Sequence, residues 1–164
     1  MKICIISFDI WGFTKQIVEY LTKKNIEATF YDTSSISYVY KNKTERVKNF
    51  FTKNFLNKNV KKDYLNRFLT ESINSLPEQD YVLIINPFQV KPNIFNLLKN
   101  KTKNLIAYNY DSLKRMPIPE SYLPQIDRLY SFDIKDVKEY KYLNLLTNFI
   151  YLPNYKSETY ENKA

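Results

Sequence analysis

Residues 104–115 read Asn-Leu-Ile-Ala-Tyr-Asn-Tyr-Asp-Ser-Leu-Lys-Arg, an apolar run that ends abruptly in a polar cluster. Such a run is typical of a parallel strand buried on both faces, and a strand of this kind delivers the residues that follow it to the carboxyl edge of its sheet. Open α/β folds bind their ligands at that edge. We therefore expect Asp111 and Arg115 to stand at the mouth of a site.

Apolar runs and helical spacings alternate along the rest of the chain. β-rich runs predict strands at 2–7, 26–32, 80–86, 104–109, 126–132 and 149–153. Apolar residues spaced by three and four predict a helix capped by Thr14, two helices within 43–76 that break at 57–59, a short helix from Pro92, and a helix at 134–140 capped by Asp133. The proline-rich stretch 112–124 is expected to be an exposed loop.

This alternation of strands and helices predicts the fold class. We expect an α/β protein, a Rossmann-like three-layer sandwich with a mainly parallel sheet of five or six strands. The chain of 164 residues has the size of one domain. We place that single domain at 1–153 and a polar C-terminal tail at 154–164.

The composition excludes several kinds of chemistry. One Gly cannot build a Walker loop or a complete Gly-x-Gly-x-x-Gly turn, and the lack of His removes the usual general base and the usual zinc ligand. Cys4 is the one cysteine, so it has no disulfide partner within the chain, and its apolar surroundings indicate a small core residue. No cofactor and no metal are expected, and any catalysis must use carboxylates, Tyr, Lys or Arg.

The net charge of +8 is spread over lysines in twos and threes rather than in one long block. That pattern is typical of a solvated surface, with a weaker case for an anionic partner, and nucleic acid is the weakest of the partners considered. The first residues are too short for a signal sequence and no run approaches membrane-spanning length. We expect a cytoplasmic protein, with the inner face of the membrane as an alternative location.

Three loops after predicted strands carry the candidate site residues. The candidate substrate-binding residues are Phe8, Trp11, Gly12, Phe13, Pro87, Phe88, Tyr110, Ser112 and Arg115, and the candidate catalytic residues are Asp9 and Asp111. Trp11 and Gly12 stand where a dinucleotide fingerprint places its glycine turn, so helix N–H groups there could hold an anion. The alternative is that Gly12 is a turn residue and Trp11 a packed or half-exposed aromatic. Asp32 stands in the position of a ribose-binding acid, although an Asp before Thr-Ser-Ser is more often a turn former.

Asp111 and Arg115 also have two interpretations. The carboxylate of Asp111 could accept a proton from a hydroxyl nucleophile, while Arg115 could bind phosphate or a carboxylate through two parallel hydrogen bonds. The alternative is that Asp111 caps the following turn and Arg115 pairs with it.

The C-terminal third resembles a known family. The stretch 110–115, Tyr-Asp-Ser-Leu-Lys-Arg, is followed by Ile-Asp-Arg-Leu-Tyr-Ser-Phe-Asp-Ile-Lys-Asp at 126–136 and by Tyr151-Leu152-Pro153. This order is similar to the N-terminal half of bacterial GT-B glycosyltransferases of the capsule and lipopolysaccharide type, related to the spore-maturation glycosyltransferases. The likeness covers roughly residues 80–153.

The resemblance implies two facing Rossmann domains, of which the second holds the nucleotide sugar and the first holds the acceptor. This chain looks like the acceptor-side half, so the nucleotide-gripping residues have no positions here. The implied partners are a glycan or lipid-linked sugar acceptor, and a nucleotide sugar bound through the missing second domain. The implied chemistry is metal-free transfer to an acceptor hydroxyl, with Asp9 or Asp111 as base.

Two functions from different classes therefore remain in view. One is the N-terminal domain of a glycosyltransferase that is inactive alone. The other is a noncatalytic module that binds a nucleotide, an anion or a partner protein. A neighbouring or fused second α/β domain with a nucleotide-sugar site would favour the first.

Overall fold

The structure of the protein, a computed structural model, describes residues 1–56 and 58–146. Its strands are β1 (Lys2–Ser7), β2 (Glu27–Asp32), β3 (Tyr81–Ile85), β4 (Leu105–Asn109), β5 (Arg128–Ser131) and β6 (Leu143–Leu145). Its α-helices are α1 (Phe13–Lys23), α2 (Lys43–Leu56), α3 (Val60–Ser75), α4 (Pro92–Lys99) and α5 (Ile134–Glu139). Two short 3₁₀ segments cover Pro87–Gln89 and Glu120–Gln125.

All six strands form one parallel sheet in the order β2-β1-β3-β4-β5-β6. The register aligns the ends of neighbouring strands, since Ile84 lies opposite Ala107 and Asn109 lies opposite Ser131. This is the α/β, Rossmann-like architecture that the alternation of strands and helices predicts. The order reverses at β1, so the gap between the carboxyl ends of β1 and β3 is the switch point of the sheet, where folds of this kind bind ligands.

The handedness of the crossovers decides which helix covers which face. The connection from β1 to β2 runs across the sheet in the opposite direction to all later connections. Since such crossovers are almost always right-handed, α1 must lie on one face and the later helices on the other. The packing agrees with this argument: Leu69, Ile94 and Val137, from α3, α4 and α5, belong to one hydrophobic cluster, and Ile17 of α1 belongs to a second.

The face that carries α1 is only partly covered by the described residues. Beside the helix lies an open apolar groove of about 580 Å³, lined by residues that include Ile3, Leu83, Ile106, Tyr130 and Leu146. The opposite face packs much more tightly, and Ile84, Phe95 and Leu105 there are fully buried. Cys4 also belongs to that well-packed cluster, as expected of a small core residue.

The C-terminal half of the chain departs from the predicted elements in one loop and one strand, and two further predictions lie outside the described residues. The stretch 112–124 was expected to be an exposed loop, but it is anchored in the core by Leu113, Ile118 and Tyr122, which are buried. β6 pairs with β5 although only three residues long, which is too short to show a pattern in the sequence. The strand predicted at 149–153 and the tail at 154–164 lie outside the described residues.

The two predicted helices within 43–76 are present, but α2 faces an unexpected direction. The predicted break is confirmed, because α2 ends at Leu56 and Asn59 caps α3 by accepting a hydrogen bond from the Lys61 N–H at 3.1 Å. The apolar stripe of α2 points to solvent rather than to the core, as Phe51 and Phe55 show by their exposure. Along residues 1–56 and 58–146, none of the helices is both long enough and apolar enough to cross a membrane.

Candidate functional site

The loop between β1 and α1 lies at the carboxyl edge of the sheet and forms one side of the candidate site. Gly12 has φ 74° and precedes α1 in the left-handed conformation, so it is the turn residue that the sequence suggested. Thr14 was expected to cap the helix, but it is buried and donates a hydrogen bond to the Ser7 Oγ at 2.9 Å. Asp9 does the capping instead, because its Oδ2 accepts from the Lys15 N–H at 2.9 Å. One of the N–H groups available for an anion is therefore already occupied by a carboxylate.

Asp32 at the end of β2 holds this loop in place. Its Oδ1 accepts hydrogen bonds from the Ser34 N–H at 2.8 Å and from the Asp9 N–H at 3.2 Å. The first bond is the turn-forming role that the following Thr-Ser-Ser predicted. The second bond joins Asp32 to the candidate base Asp9, which sequence spacing alone does not indicate. Asp32 is therefore a positioning residue for the loop after β1.

The end of β3 contributes a residue in the left-handed conformation. Asn86 is buried and adopts φ 57° and ψ 68°, a conformation that Asn adopts more readily than other non-glycine residues. Its Oδ1 accepts from the Tyr110 N–H at 3.3 Å, and its own N–H donates to the Tyr108 carbonyl at 2.8 Å. Of the two candidates that follow, Pro87 is buried and Phe88 is half-buried. Asn86, rather than these two, links the end of β3 to the end of β4.

The turn after β4 holds Asp111, Ser112 and Arg115 in a local arrangement. The Asp111 Oδ1 accepts from the Ser112 N–H at 3.1 Å, and its Oδ2 lies 3.4 Å from the Arg115 Nη1. The Ser112 carbonyl in turn accepts from the Arg115 N–H at 3.0 Å. These contacts match the interpretation of Asp111 as a turn cap with Arg115 as its partner. The Arg115 side chain is nevertheless 72% exposed, so its guanidinium presents most of its donors to solvent.

Asp136 also lies at the carboxyl edge of the sheet, although it is not among the candidate residues predicted from the sequence. It is buried in α5, and its Oδ2 accepts from the Leu113 N–H at 2.7 Å and from the Ser131 Oγ at 3.3 Å. The Ser131 Oγ also accepts from the Asp133 N–H at 3.1 Å, while Asp133 caps α5 as predicted. The Ser-Phe-Asp-x-x-Asp stretch therefore ties the turn after β4 to the end of β5.

A buried amide lies beside that turn. Asn109, the last residue of β4, is fully buried, and its Nδ2 donates to the Asp111 carbonyl at 2.6 Å. Its Oδ1 has no hydrogen-bond partner among the described residues. A buried carbonyl without a hydrogen-bond partner costs about 1–3 kcal/mol. Asn109 is therefore a less stable choice for this buried position than an apolar side chain of similar size would be.

Tyr110 lies close enough to both candidate bases, Asp111 and Asp9, for their charges to act on its phenol. It lines a depression of about 70 Å³ with Phe8, Asp9, Trp11 and Phe13, at the switch point between β1 and β3. Burial raises the pKa of the Tyr110 phenol, and the negative charges of Asp111 and then Asp9 raise it further, against a hydrogen bond from Asn86 that lowers it. The phenol therefore stays protonated at neutral pH and can donate a hydrogen bond.

Exposed aromatic rings rim the depression. Trp11 is 69% exposed and Phe13 is 40% exposed, and their ring centroids are 6.4 Å apart at a tilt of 42°. Of the eleven candidates, the depression gathers Phe8, Asp9, Trp11, Phe13 and Tyr110, with Gly12 as the turn in the same loop. Pro87, Phe88, Asp111, Ser112 and Arg115 do not line it.

The side chains at this edge of the sheet that could bind or react with a ligand are carboxylates, hydroxyls and aromatic rings. Within the described ranges, no group of three or more His, Cys, Asp or Glu side chains is placed to hold a metal ion. Cys4 is not a nucleophile at neutral pH, since burial raises its pKa to about 12.

The fold and this edge together define a Rossmann-like α/β domain with polar and aromatic residues at its switch point. Comparisons with protein-family models, with curated proteins and with solved structures found no match.

Proposed function

We propose that this domain is the acceptor-side half of a glycosyltransferase, inactive alone, in which a second domain supplies the nucleotide sugar. The observation that carries the proposal is the pair of exposed rings, Trp11 and Phe13, beside a carboxylate and a protonated phenol at the switch point. Flat aromatic faces pack against the apolar face of a sugar ring, and carboxylate and phenol groups form hydrogen bonds with its hydroxyls. The likeness of residues 80–153 to such enzymes supports the same assignment.

The reaction in the assembled enzyme would be a direct displacement. The acceptor oxygen forms a bond to the anomeric carbon of the donor sugar while the bond from that carbon to the phosphate oxygen breaks. The proton of the acceptor hydroxyl passes to Asp9 or Asp111, and the electron pair leaves with the nucleotide. Asp9 accepts one backbone hydrogen bond, and Asp111 accepts one backbone hydrogen bond and forms an ion pair, so either would accept the proton through an oxygen lone pair that these contacts leave.

The binding half of the proposal can be tested on this chain alone. Trp11 is the one tryptophan of the sequence, so its fluorescence reports directly on the rim of the depression. We expect bacterial glycan oligosaccharides to change that fluorescence and Asp9→Asn to weaken binding. In calorimetry, Trp11→Ala should abolish binding, whereas Phe68→Ala, which removes an exposed ring from α3, should leave it unchanged. Equal affinity of the Trp11→Ala and Phe68→Ala proteins would refute the site.

The catalytic half requires the second domain. Transfer of labelled sugar by this chain joined to a nucleotide-sugar domain should fall in Asp9→Asn or in Asp111→Asn. Unchanged transfer in both variants would remove these carboxylates from the mechanism while leaving the binding result intact.

A noncatalytic binding module is the second candidate, and the engagement of both carboxylates in local contacts favours it. In that case the exposed Arg115 would bind a nucleotide or another anion directly. Titration with inorganic phosphate and with a nucleoside diphosphate, followed by NMR, should then shift the Arg115 and Ser112 resonances. Arg115→Gln would abolish these shifts, and no sugar would be transferred whatever domain is supplied.

A further inference from the structure

The apolar side of helix α2 faces solvent, and its polar Asn49 faces the interior of the protein. Its Val47, Phe50, Phe51 and Phe55 side chains are exposed, and Asn49 is the one buried residue of the helix. A surface helix normally turns its apolar stripe to the core and its polar residues to water. Contiguous exposed apolar side chains of this kind mark an interaction surface.

Polar contacts fix this orientation. The Asn49 Nδ2 donates to the Tyr40 hydroxyl at 2.7 Å, and the Asn49 Oδ1 accepts from the Val60 N–H at 3.0 Å. These bonds join the inner side of α2 to the segment before it and to the start of α3. The outward direction of the phenylalanines is therefore part of the fold.

Nearly all of the net charge of the protein lies in the same segment. Residues 38–62, which we call the basic–aromatic face, contain eight Lys and Arg residues and one acidic residue, a net charge of +7 against +8 for the whole chain. The one acidic residue, Glu45, is engaged by the Tyr38 hydroxyl and by the Lys41 N–H at 2.7 Å. The rest of the protein is close to neutral, so the face dominates the electrostatics of the molecule.

Cations and exposed rings meet at a groove on this face. The groove has a volume of about 850 Å³ and is lined by Lys43, Arg46, Lys53 and Lys61 together with Phe50. None of the lining residues that the structure describes is acidic. A groove of this kind can receive phosphate groups while the neighbouring apolar side chains enter a less polar medium.

We infer that the basic–aromatic face docks this protein on the surface of an anionic lipid bilayer. α2 has 14 residues and is therefore about 21 Å long, which is ample for a helix that lies in the plane of the membrane interface. Aromatic and aliphatic side chains flanked by lysines are the composition of such interfacial helices. Phe51 and Phe55 enter the boundary between headgroups and acyl chains, and the cations of the groove contact lipid phosphates.

Two other possible partners fit the basic–aromatic face less well than an anionic membrane. A second copy of the chain would bring +7 against +7, which opposes association through this face. A single-stranded nucleic acid could use the cations and rings, but it would leave the exposed Val39, Val47 and Leu56 unused. The inference is independent of the sugar-binding proposal, since no residue of the depression belongs to this face.

Vesicle cosedimentation of the full chain tests the inference. We expect binding to vesicles that contain phosphatidylglycerol in phosphatidylcholine and little binding to phosphatidylcholine alone. Replacing Lys43, Arg46, Lys53 and Lys61 by Gln should lower the partition coefficient by roughly fivefold per charge, which corresponds to about 1 kcal/mol each, and hence by two to three orders of magnitude. The matched control removes four exposed cations elsewhere, Lys103, Lys135, Lys138 and Lys141, and should lose much less.

A tryptophan placed on the face tests insertion. In the double variant Trp11→Phe and Phe55→Trp, the fluorescence of the new tryptophan should shift to the blue on anionic vesicles and be quenched by lipids with brominated acyl chains. Equal binding to both vesicle types, an equal loss in the two charge variants, or vesicle binding without quenching would overturn the inference. It would also be overturned if a single-stranded RNA oligomer bound through the face and vesicles did not, or if Phe51→Ser turned a dimer into a monomer.

Discussion

Replacing Asp136 by Ala should destabilise the protein by about 3 kcal/mol and loosen the turn after β4. The buried carboxylate accepts a short bond from the Leu113 N–H at 2.7 Å and a longer one from the Ser131 Oγ at 3.3 Å. A hydrogen bond to a charged group contributes about 1.5–3 kcal/mol, and a buried N–H left without a partner costs about 1–3 kcal/mol. In a domain of this size, 3 kcal/mol corresponds to a Tm lower by roughly 6–12 °C.

Urea unfolding gives the magnitude, and amide hydrogen exchange of Leu113 gives the location. Asp136→Asn keeps an oxygen that can accept the Leu113 N–H, so its loss should be about half as large. Asp133→Ala is the matched control on the same helix: it removes the cap that accepts from the Lys135 N–H at 2.8 Å, at a cost of about 1 kcal/mol. If Asp136→Ala matched this control in stability, or left Leu113 exchange unchanged, the role assigned to Asp136 would be wrong.

Three further predictions concern single residues. Gly12→Ala should cost about 1 kcal/mol in urea unfolding, because φ is 74° and the surrounding space is open, so the cost is in the backbone; Gly12→Asn should cost less. Burial raises the pKa of Cys4 to about 12, so its thiol should react with an aromatic disulfide reagent only after denaturation, and reaction in the native state would contradict the packing. Burial opposes the ionised form of Asp127, but the Lys99 ammonium and the Leu105 N–H outweigh it and hold the pKa of Asp127 below its usual range. This contribution to stability is therefore complete above pH about 4 and is lost as the pH falls through the lower folded-state pKa, so Asp127→Asn should flatten the acid limb of the stability curve.

Patterns of burial made most of the fold predictable. The continuous apolar runs around Ile84 and Ala107 indicate strands buried on both faces, and both residues are fully buried in the sheet. β6 escaped prediction because three residues of Leu-Asn-Leu show no period. The spacing of Phe51 and Phe55 predicts an apolar stripe on α2, but spacing carries no information about the side that faces the core.

Part of the candidate site could also be predicted from the sequence, because the order of strands and helices indicates which loops lie at the same edge of the sheet. The rule that loops after parallel strands meet at one edge identifies Asp9 and Tyr110 as neighbours of one depression. Which backbone N–H groups a carboxylate accepts depends on the exact turn of the loop, so the bond from the Lys15 N–H to Asp9 was not predictable, whereas the turn cap by Asp111 was one of its two interpretations. Asp136 lies three residues after the N-cap Asp133, a position where an acidic side chain usually accepts from the N–H of the N-cap, so the sequence pattern does not indicate its contact with Leu113.

The unequal faces of the sheet imply unequal local stability. Among the described residues, the cluster on the side of α3, α4 and α5 contains eighteen buried residues, whereas the cluster on the side of α1 contains three. Segments with few buried apolar contacts open at a lower free energy than the rest of a fold. Amide protons of α1 should therefore exchange through local opening, while those of β3 and β4 exchange only through global unfolding. The loop that carries Asp9 and Trp11 is attached to the more easily opened half, so we expect it to adjust to a ligand without disturbing the main core.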